Sequence, residues 1–268
     1  MNSKKAIKAV TSAVIILGLM IPSDCLYSQR TKSSLKAGDQ RNAEKGLKDN
    51  RYFFYFINSS ISNFGSEEEK LLFREAIQRD IISQLLYMKF MFSESFDEIR
   101  KTQDILIRLY KKTLNRDIDM TRKLLNDFAP GVIHSNRGKA RHYLRLGYRD
   151  AVVAEKEMTM ADNYRETLFS MRLYKYVRAI KKAKHGRRYA FLSLLEVNSE
   201  KFKRTEWREM NFNDISERIK SASDNNSHVR MHFDNYYRTP DDKSFYDMVW
   251  DNPSLTEIPE YRQYLERK

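Results

Sequence analysis

Cysteine is almost absent: Cys25 is the only one in 268 residues. A lone thiol closes no internal disulfide, so packing must hold the chain, and no later cysteine exists to serve as a nucleophile. Eight glycines and five prolines leave little turn-making chemistry, while 32% of residues are charged. That balance argues against a β-sandwich or an open α/β sheet and predicts an all-α protein of long helices with few connections. Gly-rich phosphate loops are missing, both G-x-G-x-x-G and the P-loop, and so is the G-x-S-x-G elbow. Acid is in deficit as well: 36 Asp and Glu stand against 49 Lys and Arg, a net charge of +13. The excess points to an anionic or acidic-faced partner, or to a strongly solvated basic surface.

One apolar run stands out, Ala9 to Ile21, preceded by Lys4, Lys5 and Lys8 and followed by Pro22 and Ser23. This layout predicts a signal peptide over residues 1–28, with an uncleaved anchor as the alternative. Export counts against nucleic acid as the partner. Cys25 sits beside the cleavage point, where lipidation is the question, although Pro22-Ser23-Asp24 makes a poor lipobox. Residues 29–50 are polar and basic and read as a flexible lead-in. A helical arm follows over 51–131. A second covers 132–268, with a long basic helix and an aromatic tail.

Within the first arm, Arg51 to Phe56 is abruptly aromatic, either buried between helices or partly turned to another chain. Ser66 and Glu69 form a capping box. Ser95 and Glu98 read as a second, opening a helix that ends near Asn115. A shorter helix from Ile118 to Phe128 stops at Ala129-Pro130-Gly131. Asn136 is placed to cap a helix from Arg137 to Met158. Asp162 or Asn163 then starts the long basic helix, which Asn198 ends. Along it Phe169, Leu173, Tyr176, Ile180, Ala183, Ala190, Leu194 and Val197 form one apolar seam, interrupted by Gly186 and Arg187. No acid lies between Glu166 and Glu196. A helix over Trp207 to Ala222, a loop at Asp224 to Ser227 and a tail rich in Tyr, Phe and Trp complete the chain.

No constellation points to catalysis, a cofactor or a metal. His228 and His232 are four apart with Asp234 nearby, but H-E-x-x-H is absent, and they read as surface histidines in an aromatic loop. Asp117-x-Asp119 lacks the rest of a calcium loop. Glu155 and Glu157 lie on a charged helix face with nothing to mark them as acid and base.

The run HYLRLGYRDAVVAEKEMTMADNYRETLFSMRLYKYVRAIKKAKHGRRYAFLSLLE, His142 to Glu196, resembles the flagellar-coiling proteins of the leptospiral spirochaetes, the B form more than the A form. These are sheath proteins of the periplasmic endoflagellum. The resemblance implies an elongated, bent or V-shaped all-α bundle with no enzymatic activity. It implies a periplasmic place on the filament, with flagellin, other sheath proteins and further copies of the chain as partners, and neither nucleic acid nor a small-molecule substrate. Filament coiling and motility would be its role. No family site residue transfers by motif. From charge and ring content, the expected contact residues are Arg178, Lys181, Lys182, Arg187 and Arg188 for electrostatics, and Tyr236, Tyr237 and Trp250 for anchoring. The alternatives are a periplasmic scaffold or envelope lipoprotein with a binding role, and an enzyme whose site is assembled from distant residues.

Overall fold

A computed structural model describes residues 38–198, 211–223 and 225–266. The expected signal peptide, Cys25, the opening of the lead-in and the helix start at Trp207 lie outside the described residues. From Gly38 onward the chain forms one compact unit. Every regular element described is helical: α1 Asp39–Phe64, α2 Glu67–Met88, α3 Phe92–His134, α4 Gly138–Asp162, α5 Phe169–Val197, α6 Phe212–Ala222, α7 Asn226–Asn235, α8 Phe245–Asp251, a 3-10 turn Leu255–Glu257 and α9 Pro259–Glu266. The fold is all-α, as composition predicts. None of the described helices is long and apolar enough to cross a membrane.

α1 corrects the reading of residues 39–50 as a flexible lead-in. Its inward side starts at Ala43 and runs through Asn50, Phe53, Ile57 and Ile61, all fully buried. The polar composition hid this because part of that side is itself polar. Asn50 donates to Asp80 of α2 (2.7 Å) and accepts from Gln103 of α3 (3.1 Å), tying three helices together in the interior. The helical turn also divides the aromatic run: Phe53 and Phe54 are buried, while Tyr52 and Tyr55 face out.

The capping box at Ser66 and Glu69 is present and opens α2. The expected second box at Ser95 is not. α3 has already begun at Phe92, and the Ser95 hydroxyl donates to the Ser83 carbonyl (2.8 Å). α3 also joins the two helices expected on either side of Asn115 and continues through Pro130. Pro130 has no N–H to give the Asn126 carbonyl, so one bond of the preceding turn is left unmade while the helix carries on to His134. The expected division between arms at 131/132 therefore falls inside one helix. The main core crosses it too, packing Phe53, Ile57, Phe73 and Leu106 with Leu173, Tyr176, Ile180 and Val249. Each such side chain contributes roughly 1.5–3 kcal/mol by leaving water.

Asn136 does not cap α4. Its backbone is left-handed (φ 55°), and its side chain accepts from Arg141 (2.7 Å). α4 and α5 run antiparallel, so the chain must reverse between them. Asn163 consequently closes α4, and α5 starts only at Phe169. Gly147 and Gly186 bring the two backbones together: a Cβ on either would stand 3.2 Å from the other's carbonyl oxygen. That approach explains why glycine interrupts the α5 seam. A second core, including Leu125, Ala140, Phe191, Leu195 and Ile219, seals the far end of this pair.

Candidate functional site

The cations of α5 sort into an interior pair and an outward ridge. Lys184 and Arg187 are fully buried. Lys184 Nζ lies 2.7 Å from Asp234 Oδ1 and donates to Ser59 Oγ (2.7 Å). Arg187 Nη2 lies 2.6 Å from Asp234 Oδ2 and 3.5 Å from Asp117 Oδ2, and its Nε donates to Asn235 (2.8 Å). Ser59 and Ser60 hydroxyls donate to Asp234 as well. Burial alone would raise the Asp234 carboxyl, but Lys184 and then Arg187 outweigh it and hold it below the usual range. Burial pushes Lys184 down. Two cations and two carboxylates make a cluster of matched charge. Arg187, expected to meet a partner, is thus an internal residue. It stands on the apolar seam's own step, four after Ala183 and three before Ala190.

The other expected cations lie at or near the surface. Arg178 is exposed, with no ion pair to any described residue. Lys182 lies 3.6 Å from Asp150. Lys181 is half-buried, with its ammonium 4.0 Å from the Phe56 ring centre and 2.9 Å from the Tyr52 hydroxyl. Arg188 stacks 4.4 Å over Tyr236 and donates to the Asn235 carbonyl (2.8 Å). These two support the chain's own rings as much as they face solvent.

Rings continue the surface from that ridge. Tyr52 packs on Phe56 (4.8 Å) and Tyr174 (5.5 Å), Phe56 on Tyr237 (5.2 Å), and Tyr237 stacks on Tyr55 (5.7 Å, 29°). Tyr55 is 60% exposed. Tyr237 holds φ 58°, a left-handed position after α7 where glycine is usual. The closing bonds from Tyr237 N to Asp234 O (2.9 Å) and from Arg238 N to Phe233 O (3.0 Å) require that turn. The strain is of order 1 kcal/mol. It is offset by the ring, which covers Lys184 at 4.6 Å and joins the tyrosine row. Burial pushes its hydroxyl up to about 12. Trp250 stands apart from Tyr236 and Tyr237. It stacks on Tyr246 (5.6 Å, 16°), beside a cleft of about 250 Å³ lined by Arg51, Phe54, Tyr55, Asn58, Tyr246 and Asp247. Tyr55 borders both areas.

Sequence reasoning missed Tyr52, Tyr55, Tyr143, Arg149 and Tyr174. Helical phase within Arg51 to Phe56 would have marked Tyr52 and Tyr55 as outward once Phe53 and Ile57 were taken as core. Tyr143 stacks on Tyr189 (6.2 Å, 22°) across α4 and α5, a pairing with no local signal.

His228 and His232 are not surface histidines in a loop. Both lie on α7, and His232 is 2% exposed, stacked on Phe212 at 4.7 Å. Burial depresses its imidazole to about 4. Among the described residues no three His, Cys, Asp or Glu side chains come together to hold a metal. Burial raises Asp80 to about 6, but Asn50 and Gln84 occupy its oxygens, and it lines none of the described clefts. What the described residues bring together at this surface is fixed rings beside cations.

Over residues 37–263 the chain matches a family described as surface protein adhesin OmpL37. The family is leptospiral, as the resemblance of the His142 to Glu196 run implies, but its description names a surface adhesin and not a coiling protein. No curated protein and no solved structure matches the chain.

Proposed function

We propose, because the chain belongs to the OmpL37 surface-adhesin family, that it is a non-enzymatic protein of the cell envelope that attaches to its partner through the face where α5 cations meet the α1 tyrosines. Membership across residues 37–263 is the observation that carries this reading. Exposed rings at Tyr52, Tyr55, Tyr174 and Tyr236 support it, since rigid aromatic side chains give large contact area at small entropic cost. Lys181 beside Tyr52 and Phe56 and Arg188 over Tyr236 add charge selectivity among those rings. Attachment of cells to a coated surface, competed by the purified protein, tests the role. Competition by the parent protein but not by a Tyr52→Ala/Tyr55→Ala variant of equal stability is the expected result. Equal competition by both removes this face from the reading.

The flagellar-sheath reading is second, supported by the likeness of His142 to Glu196. The family's description favours the envelope alternative over it. Deletion of the gene separates the two: straightened filaments with attachment intact favour the sheath, and lost attachment with curved filaments favours the adhesin.

A further inference from the structure

We infer that the groove between α4 and α5 binds a linear sulfated polysaccharide. The inference rests on the binding role proposed above and adds a second, charged face beside the ring face, with the chemistry of what it takes. The two helices keep a constant pairing: Tyr143 meets Tyr189, Asp150 meets His185 and Lys182, and Glu157 meets Lys175. Arg178, Lys182, His185 and Tyr189 follow one another on successive turns of α5. From Lys175 to Tyr189 the row extends about 21 Å at the helical rise.

Its charge is one-sided. The end pairs Lys175–Glu157 (2.9 Å) and Lys139–Glu196 (3.2 Å) are balanced. Between them, Asp150 and Glu155 are the only acids on either helix, and Glu155 is turned away to Arg122 of α3. Asp150, fully buried, is shared by Arg149 (3.0 Å), Lys182 (3.6 Å) and His185 (2.6 Å). One carboxylate therefore faces Arg149 and Lys182 together, while Arg178 has none. Guanidinium and ammonium groups left in excess on a straight row suit the oxyanions of a regularly charged chain.

Tyr143 and Tyr189 decide between polyanions. Half-exposed and stacked on each other, with Lys139 over Tyr143 (5.8 Å) and His185 against Tyr189 (4.6 Å), they set ring surface and hydroxyls among nitrogen donors, which suits the apolar face and anionic rim of a sulfated sugar. An acidic protein would need an apolar centre to its interface. No large exposed apolar side chain lies on α5 between Lys175 and Glu196; on facing α4, Val152 is about 160° around the helix from Asp150 by the 100° step, and Met160, its sulfur 3.6 Å from Lys175, stands alone at the end of the row. A single methionine at its end is too little apolar surface to insert into a lipid layer.

Calorimetric titration of the purified protein tests this, using a size-defined heparin oligosaccharide, its desulfated counterpart and an oligonucleotide of equal charge across a salt series. Heparin binding at least tenfold tighter than the desulfated form is expected. In Arg149→Gln/Arg178→Gln/Lys182→Gln the salt slope should fall by about three. Tyr143→Leu/Tyr189→Leu should weaken heparin several-fold with the slope unchanged. Thermal melting confirms that each variant is folded. Absent heparin binding, or variants that bind like the parent, overturns the proposal. So does an oligonucleotide that binds as tightly and loses nothing in the ring variant, which would make the groove a general polyanion site. Attachment that persists while heparin fails removes the polysaccharide alone. Heparin binding by a purified protein that does not compete for cell attachment removes the adhesive role and leaves the polysaccharide site.

Discussion

Lys184 and Arg187 are one turn apart on α5, and so are Arg178 and Lys182; the former pair is sealed within the unit, and the latter faces outward. Residue type does not separate them. Phase does: 187 continues the 4-3 step of the buried seam and Lys184 adjoins it, whereas 178 and 182 fall on the α4-facing side. The inner pair is tolerable only because Asp234 and Asp117 bring carboxylates from α7 and α3. It thereby fastens the C-terminal helices to the bundle. The outer pair has few internal partners and remains available.

Asp234→Ala breaks that contrast most severely. It leaves two buried cations facing one carboxylate and should cost about 3–5 kcal/mol in urea unfolding, with early proteolysis in residues 225–266. A loss below about 1 kcal/mol would mean the cluster is hydrated, not sealed.

His232 supplies a pH test of the same docking. Its folded pKa, about 4, lies below the ordinary 6.5 because burial penalises the imidazolium. The unfolded chain binds that proton more readily. Stability is therefore complete above pH 6.5 and falls as acid approaches pH 4, by roughly 3 kcal/mol in all. Unfolding curves of parent and His232→Phe from pH 7 to 4 should diverge by that amount, the variant losing less.

Gly147→Ala disturbs the outer face without touching its charges. The new Cβ would stand 2.5 Å from Leu125 Cδ2, a movable end, and 3.2 Å from the Gly186 carbonyl, which is backbone. Parting α4 from α5 should cost about 1–3 kcal/mol and weaken binding in the groove. Smallest of all, Arg178→Gln should shift stability by less than about 0.5 kcal/mol, since the side chain is exposed and unpaired. A thermal melt distinguishable from the parent's by more than that would place Arg178 with the inner pair.

Local signals were the legible ones. The capping box at Ser66 and Glu69, the α5 seam as far as Ala190 and the stop at Asn198 depend on neighbours within a turn or two, and the structure contains each; beyond Ala190 the buried side shifts to Phe191 and Leu195 in place of Leu194. The same motif at Ser95 misled because α3 opens three residues earlier, from the turn after α2. The start of α5 was misplaced because the reversal after α4 depends on the helices packing antiparallel, which no local pattern states. For the candidate site, the ridge of Arg178, Lys181, Lys182 and Arg188 was readable from charge. Arg187 was misassigned although its seam position marked it as internal. Its partners, Asp117 and Asp234, are 70 and 47 residues away, and only the fold brings them together. Tyr52 and Tyr55 become legible as outward only with α1 in helical phase from Asp39 onward.

An adhesive role requires that α5's outer ridge face the exterior of the cell. Arg178→Cys, compared with the parent carrying Cys25 alone, gives a direct measure through labelling of intact cells by a membrane-impermeant maleimide. Labelling of the variant well above the parent on intact cells is the predicted result. Labelling only after the outer membrane is opened would contradict it and return the protein to the periplasm.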